Sequence, residues 1–258
     1  SAFSGCKLQS VTIPAKVTEI GNYAFYGNTA LTSLTINNAA ASVGNYVFEG
    51  CTALASANLG TGVTSIGESA FSGDAALTSI TIPASVTALG KEAFYNCSAL
   101  ATLTVNDAPV DIGSNAFKGC TNLTSVSLGT KLTGIGTRAF IDCTKLAGTV
   151  TIPATVKTLG EYAFYGCTSL TGAVINATAA IGDNAFSGCT ALTSLTLGSG
   201  VTAIGEGAFS GCAAVKENLT IPDSVTTIGA SAFSKCSGLT GVTLPANLTS
   251  LGESVFYK

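Results

Sequence analysis

The chain of 258 residues contains no histidine, no methionine and no tryptophan. Without histidine it lacks the commonest general base, the Ser-His and Cys-His pairs of nucleophilic catalysis, and imidazole ligands for zinc. No GxGxxG or GxxxxGKS phosphate-binding loop is present, and the 14 carboxylates are dispersed along the chain. We therefore expect a protein that is not an enzyme, with no catalytic residue, no bound metal and no cofactor.

Charged residues are scarce, at 10% of the chain against about 25% in ordinary soluble domains. The 11 Lys and Arg are scattered, and the net charge is −3. Nucleic acids and anionic membrane surfaces require clustered basic residues, so neither is an expected partner. Every apolar run is interrupted by Thr, Ser or Gly well before the roughly 18 residues of a membrane span, so we expect no membrane insertion.

The chain consists of one short pattern, repeated throughout. All twelve phenylalanines recur at intervals of 22 to 24 residues, and from Phe25 onward a glycine stands four residues before each of them. The unit can be written L-x-x-L-x-I-P-x-x-V-T-x-I-G-x-x-A-F-x-G-C-x-x. Its "LTSITI" segment alternates apolar and polar residues, which predicts a short strand with one buried face, and "GKEAFYNC" predicts a helical turn. Such a unit buries its apolar face only by stacking on further copies, so the pattern predicts a solenoid.

A longer period of three repeats is superimposed on this one. The strand segment ends in Ile-Pro at Ile13, Ile82, Ile152 and Ile221, and the two repeats that follow carry mainly Asn or Gly in place of the proline. Tandem duplication of a three-repeat block explains this period. A ligand that itself repeats along its length is the alternative.

The repeats resemble the leucine-rich repeats of bacterial surface proteins, of the type called BspA-like or Treponema-type. The I-P-x-x-V-T-x-I-G-x-x-A-F-x-G-C segment carries the resemblance, most clearly at residues 13–28, 82–97, 152–167 and 221–236. The resemblance implies an α/β-type leucine-rich repeat arc of about eleven rungs of 22–24 residues. A parallel β-sheet would form one face, and short helical turns or loops the other.

One position of the repeat, three residues after each phenylalanine, takes only cysteine, asparagine or aspartate in the interior copies. Small side chains able to form hydrogen bonds suit an inward position at a tight bend, where they meet backbone groups. Leucine-rich repeats use such a ladder. Disulfides between neighbouring rungs are the alternative, although the odd number of cysteines and the two other residue types disfavour them. The predicted ladder comprises Cys6, Asn28, Cys51, Asp74, Cys97, Cys120, Cys143, Cys167, Cys189, Cys212 and Cys236.

All seven tyrosines occupy two repeat positions, two residues before the phenylalanine or one after it. Residues three apart share one face of a helical turn. The tyrosines either cover apolar surface with their hydroxyls in water or form a stripe that binds a partner. As candidate binding residues we consider Tyr23, Tyr26, Tyr46, Tyr95, Tyr162 and Tyr165.

Because the chain has no methionine and opens and closes inside repeats, we expect residues 1–258 to be one domain cut from a longer protein. Exposed ends would favour end-to-end self-association. The resemblance implies an extracellular or cell-surface recognition module that adheres to proteins, glycans or other cells. The alternatives are a structural spacer and an accessory binding domain of a carbohydrate-active protein. Five N-x-[ST] sites occur, and none is assigned a modification.

Overall fold

A computed structural model describes residues 1–37, 40–216 and 218–258. The chain divides into two compact units, Ser1–Leu132 and Thr133–Lys258. Each unit is a stack of parallel β-strands, and one repeat forms one rung of the stack. The single domain of residues 1–258 and the association of its ends remain predictions.

In the first unit, strands of three or four residues alternate with strands of two residues. They are β1 (Ser10–Ile13), β2 (Glu19–Ile20), β3 (Ser33–Ile36), β4 (Ser42–Val43), β5 (Ser56–Asn58), β6 (Ser65–Ile66), β7 (Ser79–Ile82), β8 (Ala88–Leu89), β9 (Thr102–Val105), β10 (Asp111–Ile112) and β11 (Ser125–Ser127).

The second unit continues the same scheme with strands of two to six residues. They are β12 (Gly134–Ile135), β13 (Gly148–Ile152), β14 (Thr158–Leu159), β15 (Leu170–Ile175), β16 (Ser194–Leu197), β17 (Ala203–Ile204), β18 (Asn218–Thr220), β19 (Thr227–Ile228), β20 (Gly241–Thr243) and β21 (Ser250–Leu251).

The longer strands confirm the predicted parallel sheet and its period of two. In β7, Ile80 and Ile82 are buried while Ser79 and Thr81 are exposed. Strand β7 pairs in parallel with β9, so that each residue lies opposite the equivalent residue of the next rung. The alternating pattern therefore gives rungs such as these an apolar inner face and a hydroxyl-bearing outer face.

The two-residue strands form a second parallel ladder that the pattern did not predict. In the first unit β2, β4, β6, β8 and β10 pair in chain order. In the second unit β12 pairs with β14, and β17, β19 and β21 pair in order. Ile181 forms single bridges to Leu159 and Ile204 and so joins these two groups. This ladder arises from the V-T-x-I segment, in which the last apolar residue points inward.

Prolines interrupt the pairing of the longer strands once in every three rungs. The strands pair as β1-β3-β5, β7-β9-β11, β13-β15-β16 and β18-β20, and a proline follows the first strand of each group. Within a group, the residue after the strand donates its amide to the preceding rung, as Asn106 does to the Ile82 carbonyl at 2.9 Å. Pro83 holds the equivalent position one rung earlier and has no amide hydrogen to donate. The duplicated block is therefore also the unit of sheet pairing.

The helical turn predicted for "GKEAFYNC" is wrong, because the described residues there contain no helix. Glu92 and Asn96 have φ of +59° and +56°, whereas a right-handed helix needs about −63°. Successive amides alternate between two acceptors: the Phe94 amide bonds to Ala116 of the next rung at 2.9 Å, and the Tyr95 amide bonds to Glu92 at 3.0 Å. Half of the amides thus bond between rungs, which a helix would not allow.

In interior rungs, the glycine four residues before the phenylalanine is required by close contact with the preceding rung. A methyl group on Gly67 would lie 2.5 Å from the carbonyl carbon of Gly44 in the preceding rung. Any larger residue would push the two rungs apart at this point and would weaken the bonds between them.

The phenylalanines form a continuous stack inside each unit. From Phe48 to Phe117 the ring centroids of neighbouring rungs are 5.1–5.3 Å apart, and the rings are within 19° of parallel. From Phe140 to Phe233 the corresponding distances are 5.0–5.4 Å. These rings are fully or almost fully buried. Each stacked pair contributes about 0.5–1.5 kcal/mol beyond the burial of its apolar area.

We predict that Gly27→Ala lowers the free energy of unfolding by about 1–2 kcal/mol, since an L-residue in the left-handed region carries that cost. Gly27 has φ +66°, and no atom lies within 4 Å of an added methyl. Gly21, in the same rung, is equally open but has no positive φ. Gly21→Ala is therefore the matched control, expected to be neutral or stabilising by up to about 1 kcal/mol. Urea unfolding followed by circular dichroism measures both, and equal effects would contradict the argument.

Candidate functional site

Within each unit, side chains of the ladder of small polar residues bond to a carbonyl of the preceding rung. The Cys97 thiol donates to the Phe71 carbonyl at 3.1 Å, and Cys120 donates to Phe94 at 3.3 Å. In the second unit Cys236 donates to Phe209 at 3.1 Å. The same contact recurs at 3.3–3.4 Å from Cys51, Cys167, Cys189 and Cys212. The carbonyl of a core phenylalanine thus gains an uncharged donor from the following rung.

The thiols of this ladder are poorly suited to nucleophilic catalysis or metal binding. Eight of the nine cysteines are buried, Cys6 alone is exposed, and no disulfide forms in the part of the chain that the structure describes. Burial raises the pKa of Cys51, Cys120 and Cys189 to about 12 and that of Cys236 to about 11. A thiol that stays protonated is neither a nucleophile nor a metal ligand. Among the described residues, no group of three or more Cys, Asp or Glu could hold a metal ion.

Asn28 and Asp74 occupy two rungs of this ladder. Both side chains are fully buried. The Asn28 amide donates to the carbonyls of Phe3 at 2.7 Å and Phe25 at 2.8 Å, reproducing the thiol contact. Asp74 accepts a bond from the Cys51 amide at 2.9 Å through Oδ1, while its Oδ2 has no partner among the described residues.

The Asp74 carboxyl is therefore in an environment that favours its neutral form. Burial raises its pKa well above the ordinary value, against the smaller opposing effect of the Cys51 amide. A proton on Oδ2 makes the side chain a donor, which is what the thiols of the neighbouring rungs, Cys51 and Cys97, supply. The ionised form instead leaves a buried charge with an unsatisfied oxygen.

We predict that Asp74→Asn stabilises the protein at pH 7 by roughly 1–3 kcal/mol, the usual cost of an unsatisfied buried polar group. The parent carboxyl has a raised pKa when folded, so the parent loses stability as pH rises from about 3.9 through that raised value. The gain should therefore be smallest near pH 4 and widen with pH. Urea unfolding of parent, Asp74→Asn and Asp74→Cys between pH 4 and 8 measures it. A gain that does not change with pH would disprove the buried neutral acid.

We predict that the native protein presents one reactive thiol per chain. With an aromatic disulfide reagent at pH 8, Cys6 should react within seconds to minutes. The eight buried cysteines should react only after denaturation, because their protonated thiols are neither accessible nor nucleophilic. Cys6→Ser should abolish the fast phase. Rapid reaction of more than one thiol in the native parent would contradict the burial of the ladder.

The turns place three tyrosines in contact on the surface of the first unit. Tyr23 and Tyr46 stack with centroids 4.9 Å apart and rings 8° from parallel. Tyr23 and Tyr26 meet edge to face at 5.9 Å. Tyr23 and Tyr26 are each 41% exposed, whereas Tyr46 is half-buried. We call these three residues the N-terminal tyrosine cluster. Their contact follows from the spacing of three residues, although the segment is a tight turn and not a helix.

The remaining candidate tyrosines are arranged differently. Tyr162 and Tyr165 repeat the edge-to-face contact at 5.6 Å, and the Arg138 guanidinium lies 5.1 Å from the Tyr162 centroid. Tyr95 contacts no other tyrosine in the described ranges, and the Lys118 ammonium lies 5.9 Å from its centroid. The six tyrosines are thus one cluster, one pair and one single residue.

The family of the chain is decided by its match to a sequence model. A family model described as a BspA type leucine rich repeat region of 6 copies matches residues 1–101, 42–171, 88–216 and 173–258. The chain belongs to the BspA-type leucine-rich repeat family. A comparison with curated proteins found no match.

Solved leucine-rich repeat structures are similar to this BspA-type chain. A leucine-rich repeat protein of T. pallidum is 28% identical, with TM-score 0.54, over 72% of this chain and 78% of that one. A leucine-rich repeat protein of Eubacterium ventriosum is 19% identical, with TM-score 0.54, over 97% and 82% of the two chains. A leucine-rich cell surface protein of Faecalibacterium prausnitzii is 28% identical, with TM-score 0.47, over 97% and 76%.

The charged residues beside the tyrosines of this BspA-type chain were missed in the sequence. Glu49 and Lys118 occupy the repeat position one residue after the phenylalanine, and Arg138 occupies the position two residues before it. Aligning every repeat at these two positions would have identified them.

Among the described residues, no helix is long and apolar enough to cross a membrane.

Proposed function

We propose that this BspA-type chain is a non-enzymatic recognition module of a secreted or surface-attached protein, where it binds a protein or glycan through the surface of its turns. The observation that carries the proposal is the N-terminal tyrosine cluster. Tyr23 and Tyr26 leave 41% of their surface exposed although they touch each other and Tyr46. Exposed, mutually supported tyrosines are the residues that binding surfaces favour.

The proposal that the module is not an enzyme is supported by what its polar side chains do. The thiols donate hydrogen bonds to core carbonyls and stay protonated. The chain has no histidine to serve as a general base. The Asp74 carboxyl is enclosed within the stack of rungs and fully buried. The potentially reactive groups of the ladder are thus used to hold the fold.

The turn surface varies from rung to rung, which supports a role in recognition. At the two tyrosine positions the rungs carry aromatic, acidic, basic and hydroxyl side chains, whereas the neighbouring phenylalanine never changes. A scaffold with constant inward residues and varied turn residues presents a different surface on each rung. A localisation outside the cell or on its surface follows the family resemblance and belongs to this proposal.

The triple variant Tyr23→Ser, Tyr26→Ser, Tyr46→Ser tests the proposal. Parent and variant are compared in a binding screen against extracellular matrix proteins and a glycan array. Ligands that bind the parent should lose about tenfold or more in affinity, since truncating two binding hot spots costs well over 1.4 kcal/mol. Tyr162→Ser, Tyr165→Ser is the matched control and should retain binding. Equal unfolding curves for parent and variants exclude misfolding, and ligands bound equally by all three proteins would reject the cluster.

A structural spacer is the second candidate, and the exposed face of the longer strands favours it. That face is lined by hydroxyl groups, as at Ser79 and Thr81 of β7 or Ser194 and Thr196 of β16, with few aromatic or charged residues. Threonine suits exposed strand positions and keeps such a surface hydrated. A parent protein that binds no member of the screen supports the spacer.

A further inference from the structure

Two neighbouring turns contribute four side chains at this surface, and three of them are the tyrosines of the N-terminal tyrosine cluster while the fourth is an acid. Tyr23 and Tyr26 stand two residues before and one residue after the phenylalanine of one rung, and Tyr46 and Glu49 hold the same positions in the next rung. The two turns are held in register by backbone bonds, such as the Gly27 amide to the Glu49 carbonyl at 2.8 Å. Glu49 is half-buried, and its charge is close enough to Tyr46 to contribute to the raised pKa of that hydroxyl.

In other turns, basic side chains of the protein itself lie over tyrosine rings. Lys118 lies over Tyr95 from the equivalent position of the following rung, 5.9 Å from the centroid. Arg138 lies over Tyr162 from the equivalent position of the preceding rung, at 5.1 Å. A cation at this distance is attracted by the negative face of the ring. The spacing of the rungs is thus suited to placing a basic side chain on a tyrosine.

At the N-terminal tyrosine cluster the chain supplies no such side chain. The equivalent positions of the flanking rungs are serines, namely Ser1, Ser4, Ser69 and Ser72. In the described ranges, no lysine or arginine side chain lies over Tyr23, Tyr26 or Tyr46.

The charge around the cluster is negative and incompletely balanced. Lys91 is shared between Glu68 at 3.7 Å and Glu92 at 3.4 Å. Glu49 lies within ion-pair distance of no basic side chain in the described residues. Partial burial, and then the charge of Glu92, raise the pKa of Glu49. Glu68 and Glu49 also contribute to the raised pKa of Tyr46, after the effect of burial. An added positive charge would offset the repulsion between the carboxylates of Glu49 and Glu92.

We propose that Tyr23, Tyr26, Tyr46 and Glu49 form a docking site for an arginine or lysine side chain presented by a basic segment of a partner protein. The inference rests on the proposed function and specifies its ligand. The aromatic faces would attract the cation in the way that other tyrosines of the chain attract Lys118 and Arg138, and Glu49 would supply the counter-charge. A neutral sugar would stack on the rings and donate hydroxyl hydrogens to the carboxylate but would leave its negative charge unbalanced, and an acidic sugar would be repelled by it.

Titration of the protein with a short peptide carrying two arginines, followed by NMR of ¹³C-labelled tyrosine rings, tests the site. The control peptide carries citrulline in place of arginine, which keeps the shape and removes the charge. We expect saturable shifts at the rings of Tyr23, Tyr26 and Tyr46, no shifts at Tyr165, and little response to the citrulline peptide. Glu49→Gln should weaken binding roughly three- to tenfold, the range that one cation–π or counter-charge contact provides. Tyr26→Phe should retain binding, and Tyr26→Leu should lose it to a similar degree.

Glu206→Gln is the matched charge control, because it removes one carboxylate from the turns of the second unit. Equal weakening by Glu49→Gln and Glu206→Gln would show general attraction to an acidic protein and would overturn the site. Equal binding of the arginine and citrulline peptides would overturn it as well. A neutral oligosaccharide that shifts the cluster rings while the arginine peptide does not would assign the surface to a glycan instead.

The proposed function and the cationic docking site can fail independently of each other. If the triple tyrosine variant loses its ligands in the binding screen but the arginine peptide does not bind, the recognition module stands and the cationic ligand is wrong. If the peptide binds at the cluster but the triple variant keeps every ligand of the screen, the docking site stands and its role in recognition is wrong.

Discussion

The structure depends on backbone hydrogen bonds that run from one rung to the next, and the turns show this most clearly. Amides of the residues at positive φ bond to the neighbouring rung, as Glu92 does to Ser114 at 2.9 Å, and so does the amide of the phenylalanine, while the amides between them close local turns. Because each rung must meet its neighbour atom for atom, the backbone of every turn is nearly the same. Glycine at the point of closest approach, phenylalanine in the core and a small donor after it all follow from that requirement.

The repeat position three residues after the phenylalanine shows which residue types this constraint selects. A carbonyl inside the stack needs a donor, and the donor must fit between rungs without carrying charge into the core. Cysteine meets both conditions, because burial keeps its thiol protonated and its volume is small. Asparagine meets them too, although Asn28 leaves its Oδ1 without a partner among the described residues. Aspartate meets them only when it is protonated. The position thus takes three chemically different residues, of which cysteine and asparagine donate to the carbonyl of the preceding phenylalanine.

The features predicted from the sequence are those with a local pattern. The alternation in "LTSITI" predicts the strand, and the regular spacing of phenylalanine predicts the stacked core. The turn was predicted wrongly, since nothing in the residue types of Glu92 or Arg138 indicates positive φ. Bonds to the next rung impose that conformation, and these contacts are non-local. The two-residue ladder was missed because a strand of two residues has no measurable period. The contact between Tyr23 and Tyr26 was foreseen for the wrong reason, because the spacing was read as helical.

Side chains on the turn surface escape the constraint that governs the interior, and that is why recognition can differ from rung to rung. Tyr26 and Tyr165 occupy the same repeat position, beside edge-to-face partners of similar geometry. The next rung places Glu49 beside the first and Ser187 beside the second. The second site also has the Arg138 guanidinium over Tyr162, whereas the first has no basic side chain over its rings among the described residues. Two sites that share spacing and aromatic residues therefore differ in the charge they favour through their neighbouring side chains, which the rung spacing brings within electrostatic range.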